Sequence, residues 1–394
     1  MPRVEATVSC PVHDSFRVQQ VAGMFDVPLA EKAQASFAVD VPGADEPWQI
    51  GLIVGPSGSG KTTIARRAFG SALVERQAWP DDKAVVDCFG ELPTRQITSL
   101  LTSVGFGSPP SWIKPYAVLS GGEKFRCDLA RALVRLETVG RRPEVDDLRA
   151  EPPVSRLQPP ACPIVAFDEF TSVVDRQVAQ IGSAAVAKAI RAGNVACRFV
   201  AVSCHYDVRE WLEPDWVVDM AVGICQRRRL RRPEIRLEIQ RCRHALWPLF
   251  APHHYLSGSL SKMARCFAAT WNGAPVSFCA TLPIIGRRGH WRISRIVTLP
   301  DYQGVGIGLR VAEAVAQIHV GEGHRLNITA SHPAVIAHCR QSPRWRTARV
   351  MRHGSRRAEF VRGYQGSAGR AVVSFEYVAE GPSSPESPTR SAEQ

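Results

Sequence analysis

Between the apolar run Trp48 to Val54 and a helix-forming stretch sits Gly55-Pro-Ser57-Gly58-Ser-Gly60-Lys61-Thr62-Thr63. It fits GxxxxGK[ST] in the one context where that pattern has mechanical meaning: a strand, a glycine turn, then a helix N-terminus. Glycines let backbone N–H groups close around phosphate oxygens, and the helix dipole favours the anion. Lys61 is expected to reach the β- and γ-phosphates and Thr62 to ligate Mg²⁺, with Gly55, Ser57, Gly58, Gly60 and Thr63 completing the cradle. A loop of this kind demands a parallel α/β sheet beneath it, so an all-α or all-β fold is excluded for this part of the chain.

Further along, Pro163 to Phe167 is an apolar strand candidate ending in Asp168-Glu169. Asp168 is expected to hold the magnesium and Glu169 to polarise an attacking water. Between the two motifs lies Leu119-Ser120-Gly121-Gly122-Glu123, followed by the helical run DLARALVRL. Ser and Gly at a helix start make a second anion site, which makes sense if it serves the nucleotide of another subunit. The run CRFVAVSC leads into His205, a candidate sensor of the γ-phosphate.

Taken in this order, the motifs resemble those of the ABC-type ATPases. LSGGE is that superfamily's signature, Thr171 to Asp175 is similar to its D-loop, and His205 to its switch histidine. The resemblance implies a head-to-tail homodimer sandwiching two ATP molecules, with Ser120, Gly121, Gly122 and Asp175 of one copy facing the nucleotide on Lys61 of the other. Three departures point to a non-transporter type. No Q-loop glutamine stands out (Asp87 and Gln96 are the stand-ins), Phe170 replaces the common proline, and the stretch from Lys61 to Ser120 is short. Phe25 is the candidate for adenine stacking.

Residues 234–376 follow a different pattern. RCFAATW and PVSFCATLPI flank Asn272-Gly273, a hairpin signal, and HWRISRIVTLP leads into Gln303-Gly304-Val305-Gly306-Ile-Gly308 and a helix. This second strand–glycine–helix unit can cradle a pyrophosphate. Its order of elements resembles the GNAT acetyltransferases, which implies acetyl-CoA over Gln303, Gly304, Val305, Gly306 and Gly308. Aligning HPAVIAHCRQ with the segment that carries the general acid of many such enzymes puts His338 in that role. The strand before the loop lacks the glutamate base often found there; His290 is the candidate substitute, with a solvated hairpin histidine the stronger reading. Cys339 reads as structural, with acyl acceptance as the alternative.

Charge divides sharply. Residues 1–224 carry 23 Lys+Arg and 27 Asp+Glu, net −4, whereas residues 225–394 carry 26 and 10, net +16. One cluster is Arg227, Arg228, Arg229, Arg231 and Arg232; another runs from Arg340 through Arg344, Arg346, Arg349 and Arg352 to Arg357, with Trp345 placed to stack on a base. Arginine forks match phosphates, so nucleic acid is the expected partner and acyl acceptor, with a solvated basic face that serves CoA and solubility as the alternative.

The expected fold class is α/β: a P-loop ABC ATPase domain, mixed sheet with β-rich and short helical subdomains, followed by a GNAT-like mixed α/β domain. Residues 1–222 form the first, 223–378 the second with its basic junction, and 379–394 a disordered tail. Residues 1–50 read as β-rich and 138–162 as a surface insertion. The whole chain resembles ABC-type ATPases fused to a predicted acetyltransferase domain. The function expected is ATP hydrolysis with gated acyl transfer to nucleic acid. Two alternatives stand beside it: a protein or small-molecule N-acetyltransferase regulated by the ATPase, and a nucleic-acid clamp whose GNAT-like domain binds acyl-CoA without catalysis. No apolar run approaches the ~18 residues that cross a bilayer, the N-terminus shows no secretory signal, and eleven scattered cysteines read as reduced thiols, so a cytoplasmic location is expected.

Overall fold

The computed structural model describes residues 2–27, 32–74, 78–134, 162–227, 232–254, 258–353 and 370–378. Most of the insertion expected at 138–162, the tail at 379–394, and Arg228, Arg229, Arg231, Arg356 and Arg357 lie outside the described residues. The chain divides into two compact units, residues 1–107 with 111–234, and 108–110 with 235–394.

The first unit opens with β1 (Arg3–Pro11), α1 (Phe16–Phe25) and β2 (Lys32–Asp40), the strands paired antiparallel from Arg3↔Asp40. Helix α1 is an addition to the β-rich expectation for residues 1–50. Val18, Val21, Ala22 and Phe25 recur at helical rather than alternating spacing, and Ser15 caps the helix by accepting a hydrogen bond from Val18 N at 3.3 Å.

β3 (Ile50–Val54) then enters the core. Its continuous apolar run is buried at all five positions, as suits a central parallel strand covered on both faces. The helices α2 (Lys61–Phe69), α3 (Thr94–Ser103), the single turn α4 (Pro109–Trp112), α5 (Gly121–Val134), α6 (Arg176–Arg191) and α7 (Val208–Leu212) alternate with β4 (Leu73–Val74), β5 (Ile164–Phe167), β6 (Arg198–Ser203), β7 (Trp216–Asp219) and β8 (Ile224–Arg227). The six-stranded sheet runs β4-β5-β6-β3-β7-β8, parallel except for β8. Ile50, Leu52 and Val54 join the cluster that includes Leu101, Leu129 and Val186, while Ile53 joins Ile64, Val202 and Val218. Burying each large aliphatic contributes roughly 1.5–3 kcal/mol, which anchors the strand whose end carries the phosphate loop.

The second unit is a seven-stranded sheet of order β14-β15-β13-β12-β11-β10-β9. In chain order it contains β9 (Glu238–Cys242), α8 (Trp247–Phe250), β10 (Arg265–Trp271), β11 (Ala274–Pro283), β12 (His290–Thr298), α9 (Ile307–Gly321), β13 (Arg325–Ala330), α10 (Pro333–Gln341), β14 (Trp345–His353) and β15 (Arg370–Tyr377). Asn272 (φ 50°) and Gly273 (φ 79°) form the left-handed turn that their dipeptide predicts. Val311 and Val315 of α9 belong to a core with Ile293, Ile328 and Phe375, whereas Trp247 and Phe250 pack with Phe278 and Val297. β14 is a strand where arginine-rich sequence gave no strand signal, and it lies at the sheet edge. Among the described residues no helix is long and apolar enough to cross a membrane, and all eleven cysteines are unpaired.

Candidate functional sites

In the first unit the phosphate loop follows β3 directly and caps α2 with Gly60 in the left-handed region, φ 81°. A Cβ at Gly60 would stand 2.5 Å from the Phe37 ring, so the turn needs glycine for its dihedral and for the close approach of β2. Phe37 is thus the aromatic set against the loop; Phe25 sits at the end of α1, 69% exposed. Lys61 Nζ donates to Pro56 O at 2.7 Å, curling over the loop. Ser59 Oγ is buried in the loop without a partner among the described residues.

Thr62 Oγ1 lies 3.1 Å from Asp168 Oδ1, so the two groups expected to share a magnesium ion are already in contact. Glu169 follows in the left-handed region (φ 51°), its N–H donating to Asp168 Oδ1 at 2.9 Å. Such backbone is costly for a non-glycine residue and typifies functional turns. A cleft of about 370 Å³ opens beside Asp168 and Glu169, lined also by Arg66, Phe125, Arg131 and Val173.

His205 is tied to this turn by a chain of contacts. Phe170 N donates to Val202 O at 2.8 Å, the hydroxyls of Thr171 and Ser203 lie 3.5 Å apart, and His205 N donates to Ser203 Oγ at 3.1 Å. Burial, then the neighbouring Arg176 guanidinium, holds the His205 imidazole below its ordinary pKa, which keeps it neutral near pH 7. Two residues that sequence reading missed complete the link. Arg176 Nε donates to Asp207 Oδ2 at 2.9 Å, and a second guanidinium nitrogen pairs with Oδ1. Nothing in the sequence signals a pair separated by 31 positions.

Asp175 caps α6 through Val178 N at 2.9 Å. Ser120 starts α5 in a capping box, its N–H and hydroxyl each 3.0 Å from Glu123 Oε2 and Glu123 N returning to Ser120 Oγ at 3.3 Å. Burial raises the Glu123 pKa, but hydrogen bonds from Ser111 and Ser120 outweigh it and hold the carboxyl below its ordinary value. Ser120, Gly121 and Gly122 therefore stand at a preformed helix start, and Ser120's hydrogen bonds go to Glu123 rather than to the phosphate loop. Asp87 and Gln96 are both exposed, and neither is hydrogen bonded to Asp168 or Glu169.

In the second unit β12 and β13 pair in parallel from His290↔Arg325 to Ile293↔Ile328 and then part. Beyond that point β12 stays with β11 to Thr298, and β13 stays with β15 to Ala330. Among the described residues the parting leaves one side of the upper half of β12 without a strand partner, next to the glycine loop. Gly304 (φ 95°) and Gly306 (φ 97°) shape that loop, and no side chain caps the α9 N-terminus, so its first-turn N–H groups remain for an anion. Gln303 Nε2 donates to Thr298 O at 2.8 Å, pinning the loop to the strand end. A Cβ on Gly308 would meet Thr298 Oγ1 at 2.8 Å.

His338 lies on α10, with Nε2 2.8 Å from Glu313 Oε1 of α9. A carboxylate there accepts, so Nε2 carries the proton and Nδ1 is the nitrogen left to exchange one. Glu313 is a buried acid, 4% exposed, also approached by Arg310 at 3.3 Å and Arg344 at 3.7 Å. The sequence hid it inside an apolar helix run.

Here the structural reading of Cys339 holds, the alternative role of His290 is set aside, and the expectation for Trp345 is corrected. Cys339 is buried at 2% exposure, and burial followed by the Glu313 charge pushes its thiol up to about 12. It stays protonated and packs, rather than accepting acyl groups. His290 begins β12, at the end opposite the Gln303–Gly308 loop, and the ~3.3 Å rise per residue puts ~26 Å of strand between them. Trp345 is 6% exposed, its ring centroid 5.1 Å from that of Tyr377; a core aromatic offers no stacking face. Of the arginines around it, Arg346 pairs with Glu376 at 2.9 Å, whereas Arg340 and Arg349 are exposed. In the junction Arg227 pairs with Glu46.

The sequence model of the Acetyltransferase (GNAT) family matches residues 232–338. Those residues form a GNAT acetyltransferase domain. Its region is similar in structure to the ribosomal-protein-S18-alanine N-acetyltransferase of Escherichia coli, 16% identical over 36% of this chain and 93% of that one, TM-score 0.28. It is likewise similar to a Bacillus subtilis acetyltransferase in complex with CoA, 13% identical over 37% of this chain and 100% of that one, TM-score 0.30. A bacterial ABC transporter cassette in dimeric form is 14% identical over 50% of this chain and 89% of its own, TM-score 0.33. No curated protein matches the chain.

Proposed function

We propose that the chain hydrolyses ATP at its first unit and that its GNAT domain binds acetyl-CoA and transfers the acyl group to a nucleic-acid acceptor, gated by an ATP-sandwich homodimer. The observation that carries the ATPase reading is the Thr62–Asp168 contact at the mouth of the phosphate loop, with Glu169 next in the chain. Thr62 and Asp168 would hold Mg²⁺, which supplies charge neutralisation at the β- and γ-phosphates. Lys61 swings from Pro56 O to the phosphates, Glu169 takes the proton of the attacking water, and neutral His205 donates to the γ-phosphate. Ser120 and Gly122 of a second copy close over the same nucleotide.

In the GNAT domain the N–H groups at the start of α9, with Gly304 to Gly308, hold the pyrophosphate of acetyl-CoA. The open side of β12 receives the chain that carries the thioester. An acceptor nitrogen attacks the thioester carbonyl, the C–N bond forms, and the C–S bond breaks. His338 Nδ1 takes the proton of the attacking nitrogen and passes it to the departing thiolate. Glu313 fixes the ring through Nε2. The non-catalytic clamp reading draws on that same contact, since a histidine held between two helices also serves as a latch.

The test supplies radiolabelled acetyl-CoA with ATP and Mg²⁺ to separate pools of tRNA, duplex DNA, single-stranded DNA and protein. Label in one nucleic-acid pool, lost in His338→Ala, is expected. Label confined to protein supports the N-acetyltransferase alternative, and no label with acetyl-CoA still bound supports the clamp.

A further inference from the structure

The connection between β11 and β12 is two consecutive turns. Arg287 N donates to Ile284 O at 3.1 Å, His290 N to Arg287 O at 3.3 Å, and Ile284 N closes the hairpin on His290 O at 2.8 Å. Gly286 (φ 78°) and Gly289 (φ 74°) take the third position of each turn, where positive φ is required. The residues before them, Ile285 and Arg288, are therefore corner residues of a defined tip, not of a slack loop. Ile285 is 99% exposed, and Arg287 and Arg288, two and three residues further on, are also exposed. An aliphatic side chain held wholly in water at such a corner does nothing for the stability of this unit.

Strand directions place further charge at the same end of the sheet. The antiparallel and parallel registers Cys266↔Cys242, Arg265↔Thr281 and His290↔Arg325 bring the end of β9 and the starts of β10, β12 and β13 beside the tip. Arg265, Arg325 and Arg346 there are answered by Glu322 and Glu376. Arg241, Arg243, Arg287, Arg288 and Arg292 are exposed and, among the described residues, in no ion pair. Three strand spacings of ~4.8 Å separate β9 from β12, so the row is ~14 Å across. It can reach both phosphate strands bordering a minor groove ~6 Å wide.

We propose that this end of the second unit docks duplex DNA, with Ile285 wedged against base steps in the minor groove and the unpaired arginines on the flanking phosphates. The proposal rests on the nucleic-acid reading above and names the surface that would serve it. Apolar side chains inserted from the minor groove unstack and kink B-form DNA. The wide, shallow minor groove of A-form RNA gives such a wedge no walls. The Gln303–Gly308 loop lies at the other end of β12, so the phosphates of DNA and of acetyl-CoA are kept apart instead of competing for one field.

The experiment uses the full chain and a duplex DNA labelled at both ends. Anisotropy titrations over a range of salt give the slope of log K against log salt, and energy transfer between the ends reports bending. Each phosphate neutralised adds ~0.9 to the slope. The double variant Arg287→Ala/Arg288→Ala is expected to flatten it by ~2, whereas Ile285→Ala is expected to keep the slope and lose the bend. Wild-type slope in the double variant, or an unchanged bend in Ile285→Ala, overturns the proposal. So does preference of the wild type for duplex RNA or for phosphatidylserine vesicles over DNA. Tip-dependent DNA binding without label transfer to any nucleic acid supports the docking surface and fails the acyl-acceptor reading. Label transfer to DNA with both variants binding as wild type does the reverse.

Discussion

Acidification from pH 7 to pH 5 is expected to loosen the second unit through one side chain, His319 of α9. Its ring is 0% exposed, in contact with Trp291 at 4.9 Å and Phe267 at 5.9 Å between centroids. Nε2 lies 3.0 Å from Thr281 Oγ1, while Nδ1 has no partner. Burial, then the Arg265 charge, pushes the imidazole down to about 4, against ~6.5 in an unfolded chain. A base with a depressed folded pKa keeps its full contribution to stability above the unfolded pKa. That contribution drains as pH falls below ~6.5, because the unfolded state gains a proton that the fold refuses, and the drain ends near pH 4. Between pH 7 and pH 5 the loss is about 2 kcal/mol, a ~30-fold rise in the opening equilibrium, in a window where most carboxylates have yet to titrate. Hydrogen exchange read by mass spectrometry on peptides spanning 307–330 measures it. His319→Gln, which retains a hydrogen-bonding group for Thr281, should start less stable and lose far less over the same interval. Equal losses in both proteins would refute the assignment to His319.

Glu169→Gln should bind ATP with little change while kcat falls by ~10²–10⁴, the usual worth of a general base, and size exclusion with ATP should show dimer accumulating; near-normal turnover would remove Glu169 from that role. Arg176→Ala frees Asp207 at a half-exposed pair, worth up to ~1 kcal/mol, so steady-state ATPase should drop no more than ~5-fold, with recovery in the charge swap Arg176→Asp/Asp207→Arg. Gly308→Ala should raise the KM for acetyl-CoA ~10-fold by driving a methyl group into Thr298 Oγ1, about 1–3 kcal/mol of overpacking, and Thr298→Ala should restore it. Calorimetric titration with acetyl-CoA checks the same pair without turnover.

The phosphate loop, Asp168–Glu169 and the Asn-Gly hairpin were legible because each is a short local pattern whose backbone demands particular residues. The left-handed glycines Gly60 and Gly306 are the clearest instances. What stayed hidden depends on contacts between distant segments. Glu313 looked like one polar residue in an apolar helix until α10 brought His338 to it. Arg176 and Asp207 are ordinary charges until the Glu169 turn and the His205 loop are folded together. Trp345 misled for the converse reason, since composition cannot say which side of an edge strand faces the core. Residues 17–27 were read with a two-residue period although their apolar positions also satisfy a helical one, and with no buried partner in α1 the pattern alone had to decide.

In the proposed mechanism acyl transfer by the GNAT domain waits on ATP held by the first unit. Single-turnover transfer from labelled acetyl-CoA to nucleic acid, timed with ATP and Mg²⁺ and again without nucleotide, tests it most directly. Label is expected to enter nucleic acid with ATP and to remain on acetyl-CoA without it. The same rate in both conditions would contradict it.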